Sequence, residues 1–180
     1  MKLNKTESIL ICCCAGIIAI LAVMLWLPNY LREKISKRTH NFLNSIDMVL
    51  PRGYRNNNPG NIRISSEDWQ GEIRPSQDSE FKQFKSMGYG FRAMLKLLRN
   101  YIRLHECNTI EKIISRWAPK NENNTSAYIN HVSQRTGIPA DQPISQNDRE
   151  KLIDIAYAIA YHENGSAPDR SDIEAGWEML

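Results

Sequence analysis

Cysteine is nearly absent from this sequence outside one short stretch. Of its four cysteines, Cys12, Cys13 and Cys14 are adjacent in an apolar run, and Cys107 stands alone. A lone thiol excludes an internal disulfide framework in the rest of the chain. No cysteine and histidine cluster has the spacing of a metal site, so neither a metal nor a cofactor is expected. A strong excess of either charge is also lacking. The net charge is +3, and Lys2, Lys5, Arg32, Lys34, Lys37 and Arg38 against Glu7 and Glu33 already exceed it before residue 40. The remainder is close to neutral, which argues against a duplex-binding domain, and no nucleic-acid partner is expected.

Long apolar runs are missing apart from one. Residues 9–27, from Ile9 to Leu27, carry no charge. At about 1.5 Å per residue they reach about 28 Å, close to the hydrocarbon thickness of a bilayer. Pro28 ends the run, and Trp26 and Tyr30 stand where interfacial aromatics belong. A cleaved signal peptide would have a shorter apolar core and a small-residue cleavage site, for which Leu27-Pro28-Asn29-Tyr30 is a poor match. A lipoprotein cysteine is disfavoured because almost no apolar run precedes Cys12. The expected organisation is therefore a tail (1–8), a transmembrane helix (9–27), a juxtamembrane linker or helix (28–50) and one domain (51–180). A domain of roughly 130 residues can bury a single core without staples.

Within that domain, Pro51-Arg52-Gly53 marks the boundary, and Asn56-Asn57-Asn58-Pro59-Gly60-Asn61 is turn chemistry with no room for a helix. Residues 62–84 read as irregular with short strands. Helical spacing then takes over. Phe91, Met94, Leu95, Leu98 and Ile102 share one face. Ile110, Ile113, Ile114 and Trp117 follow an Asn108/Thr109 cap, and Tyr128, Ile129 and Val132 precede a Gly137 stop. The last strong helix is expected to start at Asn147 with Glu150 in a capping box, and to end at Gly165. Its stripe is Leu152, Ile155, Ala156 and Ile159, and four residues further along that stripe stands Glu163. The pattern predicts a mainly α fold, α+β in detail, with no internal repeat.

Glu163 is the strongest chemical candidate. A carboxylate on an apolar face in the last helical turn has its charged form disfavoured by partial burial and by the negative end of the helix dipole. A glycosidase general acid needs such a place to keep its proton. The plain alternative is a frayed helix end with Glu163 in water. In the loop, Asn57, Asn58 and Asn61 are amides suited to sugar hydroxyls and N-acetyl groups, although an Asx-rich turn capping its own backbone explains them too. Trp69 offers a stacking platform and Glu72 a second carboxylate; Trp69 fits a core position equally well. Asp78, Glu80 and Glu122 read as solvated charges. Arg92, Lys96, Arg99 and Arg103 form a basic stripe, ordinarily a solvated face, that could also meet anionic wall polymer or phospholipid.

The run Arg52-Gly53-Tyr54-Arg55-Asn56-Asn57-Asn58-Pro59-Gly60-Asn61-Ile62-Arg63 resembles the opening of a lysozyme-like family of phage structural proteins and virion-associated peptidoglycan hydrolases. Trp69-Gln70-Gly71-Glu72, Phe81, Phe84, Gly90-Phe91-Arg92-Ala93 and Ile113-Ile114-Ser115-Arg116-Trp117-Ala118-Pro119, with Tyr128-Ile129 after them, resemble its later motifs. Together they cover about residues 51–165. The Asn57–Ile62 block is also similar to the second half of bacterial N-acetylglucosaminidase domains, whose catalytic Glu precedes that block on a helix ending in a Ser/Asn-Gly turn. Here the matching helix, ending Glu163-Asn164-Gly165, comes after it. The resemblance thus implies a lysozyme-like fold with circularly permuted helices, Glu163 as the acid with Glu72 as understudy, and Asn57, Asn58, Asn61, Trp69 and Tyr128 against the substrate.

The expected function is a membrane-anchored glycosidase or lytic transglycosylase cutting the MurNAc–GlcNAc strands of peptidoglycan. The alternative from another class is a non-catalytic structural or glycan-binding protein of a phage or envelope machine. A wall substrate places the domain on the periplasmic side of the bacterial inner membrane. The positive-inside rule leans the other way, since Lys2 and Lys5 precede the run and Arg32, Lys34, Lys37 and Arg38 follow it.

Overall fold

The computed structural model describes residues 27–120 and 124–180. The chain divides into two compact units, residues 1–49 and 50–180. In the first, the described part is helix α1 (Asn29–Val49). It holds Arg32, Glu33, Lys34, Lys37 and Arg38, and charges at this density keep a helix out of hydrocarbon. No helix among the described residues is long and apolar enough to cross a membrane. The apolar run of 9–27 lies, Leu27 apart, outside the described residues. The expectation of an N-terminal transmembrane helix is corrected accordingly: the described chain is mainly helical without a membrane span, and the single-pass inner-membrane placement falls with it.

The second unit begins with α2 (Arg52–Arg55), one turn leading into the Asn56–Asn61 loop. Strands β1 (Glu72–Ile73) and β2 (Gln83–Phe84) pair antiparallel, Glu72 opposite Phe84 and Ile73 opposite Gln83. An isolated bridge joins Arg63 to Phe81, so the stretch read as irregular does hold short strands. Helix α3 (Met87–His105) buries Phe91, Met94, Leu95 and Leu98 on one face and ends at Glu106 in the left-handed region. In α4 (Ile110–Trp117), Thr109 caps the start by accepting from the Lys112 N–H. Asn124 does the same for α5 (Thr125–Thr136), which stops at Gly137 with φ +69°.

Helix α6 (Arg149–Asn164) departs from expectation at its start. Its cap is Asp148, not Asn147, and it accepts from the Lys151 N–H at 3.3 Å. Glu150 pairs with Arg149 and Arg170 instead of closing a capping box. The helix is also embedded more deeply than one stripe implies. Ile153, Ala158 and Ala160 are buried with Leu152, Ile155, Ala156 and Ile159, as befits a helix with neighbours on several sides. It contacts α2, α3, α5 and a last helix, α7 (Arg170–Glu178). Periodicity did not single out α7, whose nine residues bury Ile173 and Gly176. Gly176 is required by close approach to α3: a Cβ there would stand 2.8 Å from the Arg92 backbone nitrogen. Part of the basic stripe serves this contact. Arg92 donates to the Met179 carbonyl at 2.9 Å, and the Arg99 guanidinium lies 5.6 Å from the Trp177 ring centroid.

Candidate active site

Three contacts from the loop region meet the C-terminal end of α6. Asn164, buried, donates to the Pro59 carbonyl and to the Ala160 carbonyl, each at 2.8 Å. Tyr54 Oη donates to the Ser166 carbonyl at 3.0 Å. Asn61 Nδ2 donates to Glu163 Oε2 at 3.1 Å across a sequence separation of 102 residues. The other carboxylate oxygen, Oε1, accepts from Tyr128 Oη at 2.8 Å. Glu163 is therefore not a frayed end in water. It is half-buried, gripped by a donor on each oxygen, and lines a cleft of about 270 Å³ with Asn61, Arg63, Phe81, Tyr101 and Trp117.

The loop that presents Asn61 is built from its own amides. Asn58, fully buried, donates to the carbonyls of Ile62 (2.9 Å) and Lys82 (2.8 Å) and accepts from the Ile62 N–H (2.9 Å). Asn57 donates to the Phe84 carbonyl at 3.1 Å. Asn57 and Asn61 adopt φ +49° and +47°, a region asparagine visits more readily than most residues. Gly90 lets α3 approach this loop, because a Cβ there would collide with the Asn57 carbonyl. Of the loop amides expected to meet substrate, Asn61 faces the cleft, while the Asn57 and Asn58 side chains hold the loop. Asn61 Oδ1 is buried and without a partner among the described residues.

Glu72 sits elsewhere. Its carboxylate meets the buried Lys82 ammonium at 2.9 Å and Arg74 Nε at 3.0 Å, and it does not line the cleft. Burial raises its pKa, but hydrogen bonds from Arg74, Lys82 and the Trp69 N–H outweigh that and hold it below the ordinary carboxylate value. An ionised, doubly paired carboxylate anchors the β-lobe; it has no proton to give. Trp69 is half-buried, outside the cleft lining, with Nε1 buried and unpartnered among the described residues.

Asp78, expected as a solvated charge, organises the loop. It accepts from Arg52 Nε and Nη2 (each 2.7 Å), Asn56 Nδ2 (2.8 Å) and the N–H groups of Glu80 and Phe81. The Arg52 bonds hold its pKa far below the carboxylate range, against the opposing effect of burial. Glu80 joins Arg52 at 2.9 Å. Glu122 lies outside the described residues. Tyr128, almost wholly buried, has its phenol pKa raised strongly by burial, then by the Glu163 charge and hydrogen bond, so it remains a donor. Among the described residues no group of three or more His, Cys, Asp or Glu could hold a metal ion.

Sequence reasoning passed over Tyr101, and it read Trp117 as a helix-face residue and part of a family motif without giving it a place in the site. Both are half-buried aromatics in the cleft wall, 6.3 Å apart edge to face. Their signal was an aromatic on each apolar stripe that stays partly exposed, which spacing alone does not distinguish from core.

No family model matches the chain. It is similar to Protein P5 of Pseudoalteromonas phage PM2, with 41% identity over 131 residues, covering 71% of this chain and 80% of that protein. The expected phage connection is thus met to this extent: the relative is a phage protein. On identity and coverage together, the chain belongs to the family of Protein P5 of Pseudoalteromonas phage PM2.

Proposed function

We propose that this chain cleaves the glycan strands of peptidoglycan, as a glycosidase or lytic transglycosylase acting between MurNAc and GlcNAc, with Glu163 as general acid. The observation that carries this reading is the grip on Glu163, which Asn61 and Tyr128 hold at the mouth of an aromatic cleft. Two donors fix the carboxyl group in one orientation, as proton delivery to a glycosidic oxygen requires. Trp117, Tyr101 and Phe81 supply apolar walls for sugar rings. The order of parts supports a lysozyme-like arrangement with permuted helices, because the acid-bearing helix follows the asparagine loop in sequence and still meets it in space. Among the described residues lining the cleft, Glu163 is the one carboxylate. That favours internal attack by the muramyl 6-hydroxyl over a water activated by a second acid.

Zymography of the full chain on purified sacculi tests the reading. A cleared band is expected from the wild type, and Glu163→Gln should lose it while keeping its melting temperature. Full clearing by that variant would remove Glu163 from the acid's role. A wild-type chain that binds sacculi without clearing them would be a glycan-binding protein, the alternative function.

A further inference from the structure

Among the described residues that line the cleft, two carry a formal charge, and the proposed reaction uses one of them. Each oxygen of Glu163 takes its donor from Asn61 or Tyr128. The other charge is Arg63, to which the general-acid reading gives no task. Its backbone bridges to Phe81. The flanking bonds, from the Lys82 N–H to the Ile62 carbonyl and from the Ile64 N–H to the Glu80 carbonyl, are each 2.9 Å. The Arg63 guanidinium lies over the Phe81 ring, 5.4 Å from its centroid. A guanidinium over a ring keeps its N–H donors for other acceptors. With five of them it can hold a protein neighbour and still take a carboxylate. Arg52 lies over the same ring at 4.4 Å, but Asp78 and Glu80 engage its charge at 2.7 and 2.9 Å, and it does not line the cleft.

We infer that Arg63 makes the cleft selective for an acidic glycan, by pairing with a carboxylate on the lactyl arm of a muramic acid residue. This inference rests on the glycan-strand reading of the cleft. The carboxylate has two sources: the lactyl group itself where no peptide is attached, or the peptide that the lactyl group carries. A neutral polymer of N-acetylglucosamine offers Trp117, Tyr101 and Phe81 the same ring faces and offers Asn61 the same hydroxyls and amides. It has nothing for a cation. Muramic acid differs from N-acetylglucosamine by the lactyl ether alone, so a fixed cation in the wall is the feature that tells the two apart. A carboxylate matches the planar donor edge of a guanidinium with two parallel hydrogen bonds, which are stronger than neutral ones. Aromatic walls on the same cleft leave such a pair less screened than one in open solvent.

Calorimetric titration of the full chain tests this, in a Glu163→Gln background so that nothing is cut. The probes are chitohexaose, peptidoglycan oligomers stripped of their peptides, and oligomers that keep them. At least one acidic probe should bind about tenfold or more tightly than chitohexaose, as expected for a charge-assisted pair. Adding Arg63→Gln should abolish that preference and leave chitohexaose binding unchanged, while Arg63→Lys should keep part of it. Arg116→Gln is the control for charge in general. Its guanidinium lies 5.1 Å from the Tyr101 centroid but outside the cleft lining, so the preference should survive. A preference shown by stripped strands assigns the lactyl carboxylate; one shown only by peptide-bearing strands assigns the peptide. Equal binding of all three probes, a preference that survives Arg63→Gln, or one lost equally in Arg116→Gln overturns the inference. The two readings fail separately: a wild-type chain inactive on sacculi sinks the glycosidase function, while the selectivity is read without any cleavage.

Discussion

Asn58→Ala is the sharpest test of how the site is built. The Asn58 amide is fully buried and makes three hydrogen bonds at 2.8–2.9 Å. Truncation leaves the Ile62 carbonyl satisfied, because the Lys82 N–H still donates to it at 2.9 Å. The Ile62 N–H and the Lys82 carbonyl lose the Asn58 partner. Each buried backbone group left unpaired costs about 1–3 kcal/mol, so the variant should lose roughly 3 kcal/mol of stability. Against a total of roughly 5–15 kcal/mol for a domain of this size, that is a large displacement of a urea midpoint. Asn130→Ala, exposed on α5, is the control and should stay within about 0.5 kcal/mol. Urea unfolding followed by circular dichroism compares the two. A loss below about 1 kcal/mol in Asn58→Ala would refute the view that this amide holds the loop. Since Asn61 is set by the same loop, clearing of sacculi should also fall, at temperatures where the variant is still folded.

Tyr128→Phe removes one of the two donors on Glu163 while keeping the ring that stacks on His162. A hydrogen bond to a charged group contributes about 1.5–3 kcal/mol, so clearing rates should fall roughly tenfold or more in a turbidity assay, and wild-type rates would remove the phenol from the mechanism. Glu72→Gln leaves the buried Lys82 ammonium without its counter-charge, and a loss of about 3 kcal/mol is expected in urea unfolding. The pH dependence has a definite sign. Glu72 is held below its ordinary value in the folded state, so its contribution is present above the unfolded value of roughly 4.3 and is lost as pH falls through the folded one. Stability measured from pH 6 down to pH 3 should therefore fall less steeply in Glu72→Gln than in the wild type; equal slopes would contradict the pairing.

The helices were legible because their signals are local. Phe91, Met94, Leu95 and Leu98 repeat at helical spacing and are buried on one face of α3, and Thr109 caps α4 from its own sequence neighbourhood. Signals that compete locally were read less well. Asp148 and Asn147 are both good caps one residue apart, and the bond that Asp148 accepts from the Lys151 N–H shows which start was used. Helix α7 carries no strong stripe because Gly176 and Ile173 are most of what it buries. The apolar run of 9–27 met the local criteria for a span and lies, Leu27 apart, outside the described residues, among which no helix has the length and apolarity to cross a membrane.

For the site, the residue types and their local chemistry were written in the sequence: a carboxylate ending an apolar stripe, a loop of asparagines, and aromatics on the following helices. Their division of labour was decided only in three dimensions. Asn57, Asn58 and Asn61 look alike in a row, yet the fold turns the first two to backbone carbonyls and the third to Glu163. Glu72 and Glu163 are both carboxylates near apolar neighbours, and what separates them is the partner each meets, Lys82 and Arg74 for one, Tyr128 and Asn61 for the other. Local propensity sets where helices begin and end because its interactions span a turn or two. The chemistry of a side chain depends on the charges and donors within a few ångströms of it, and here those come from residues as many as 102 positions away.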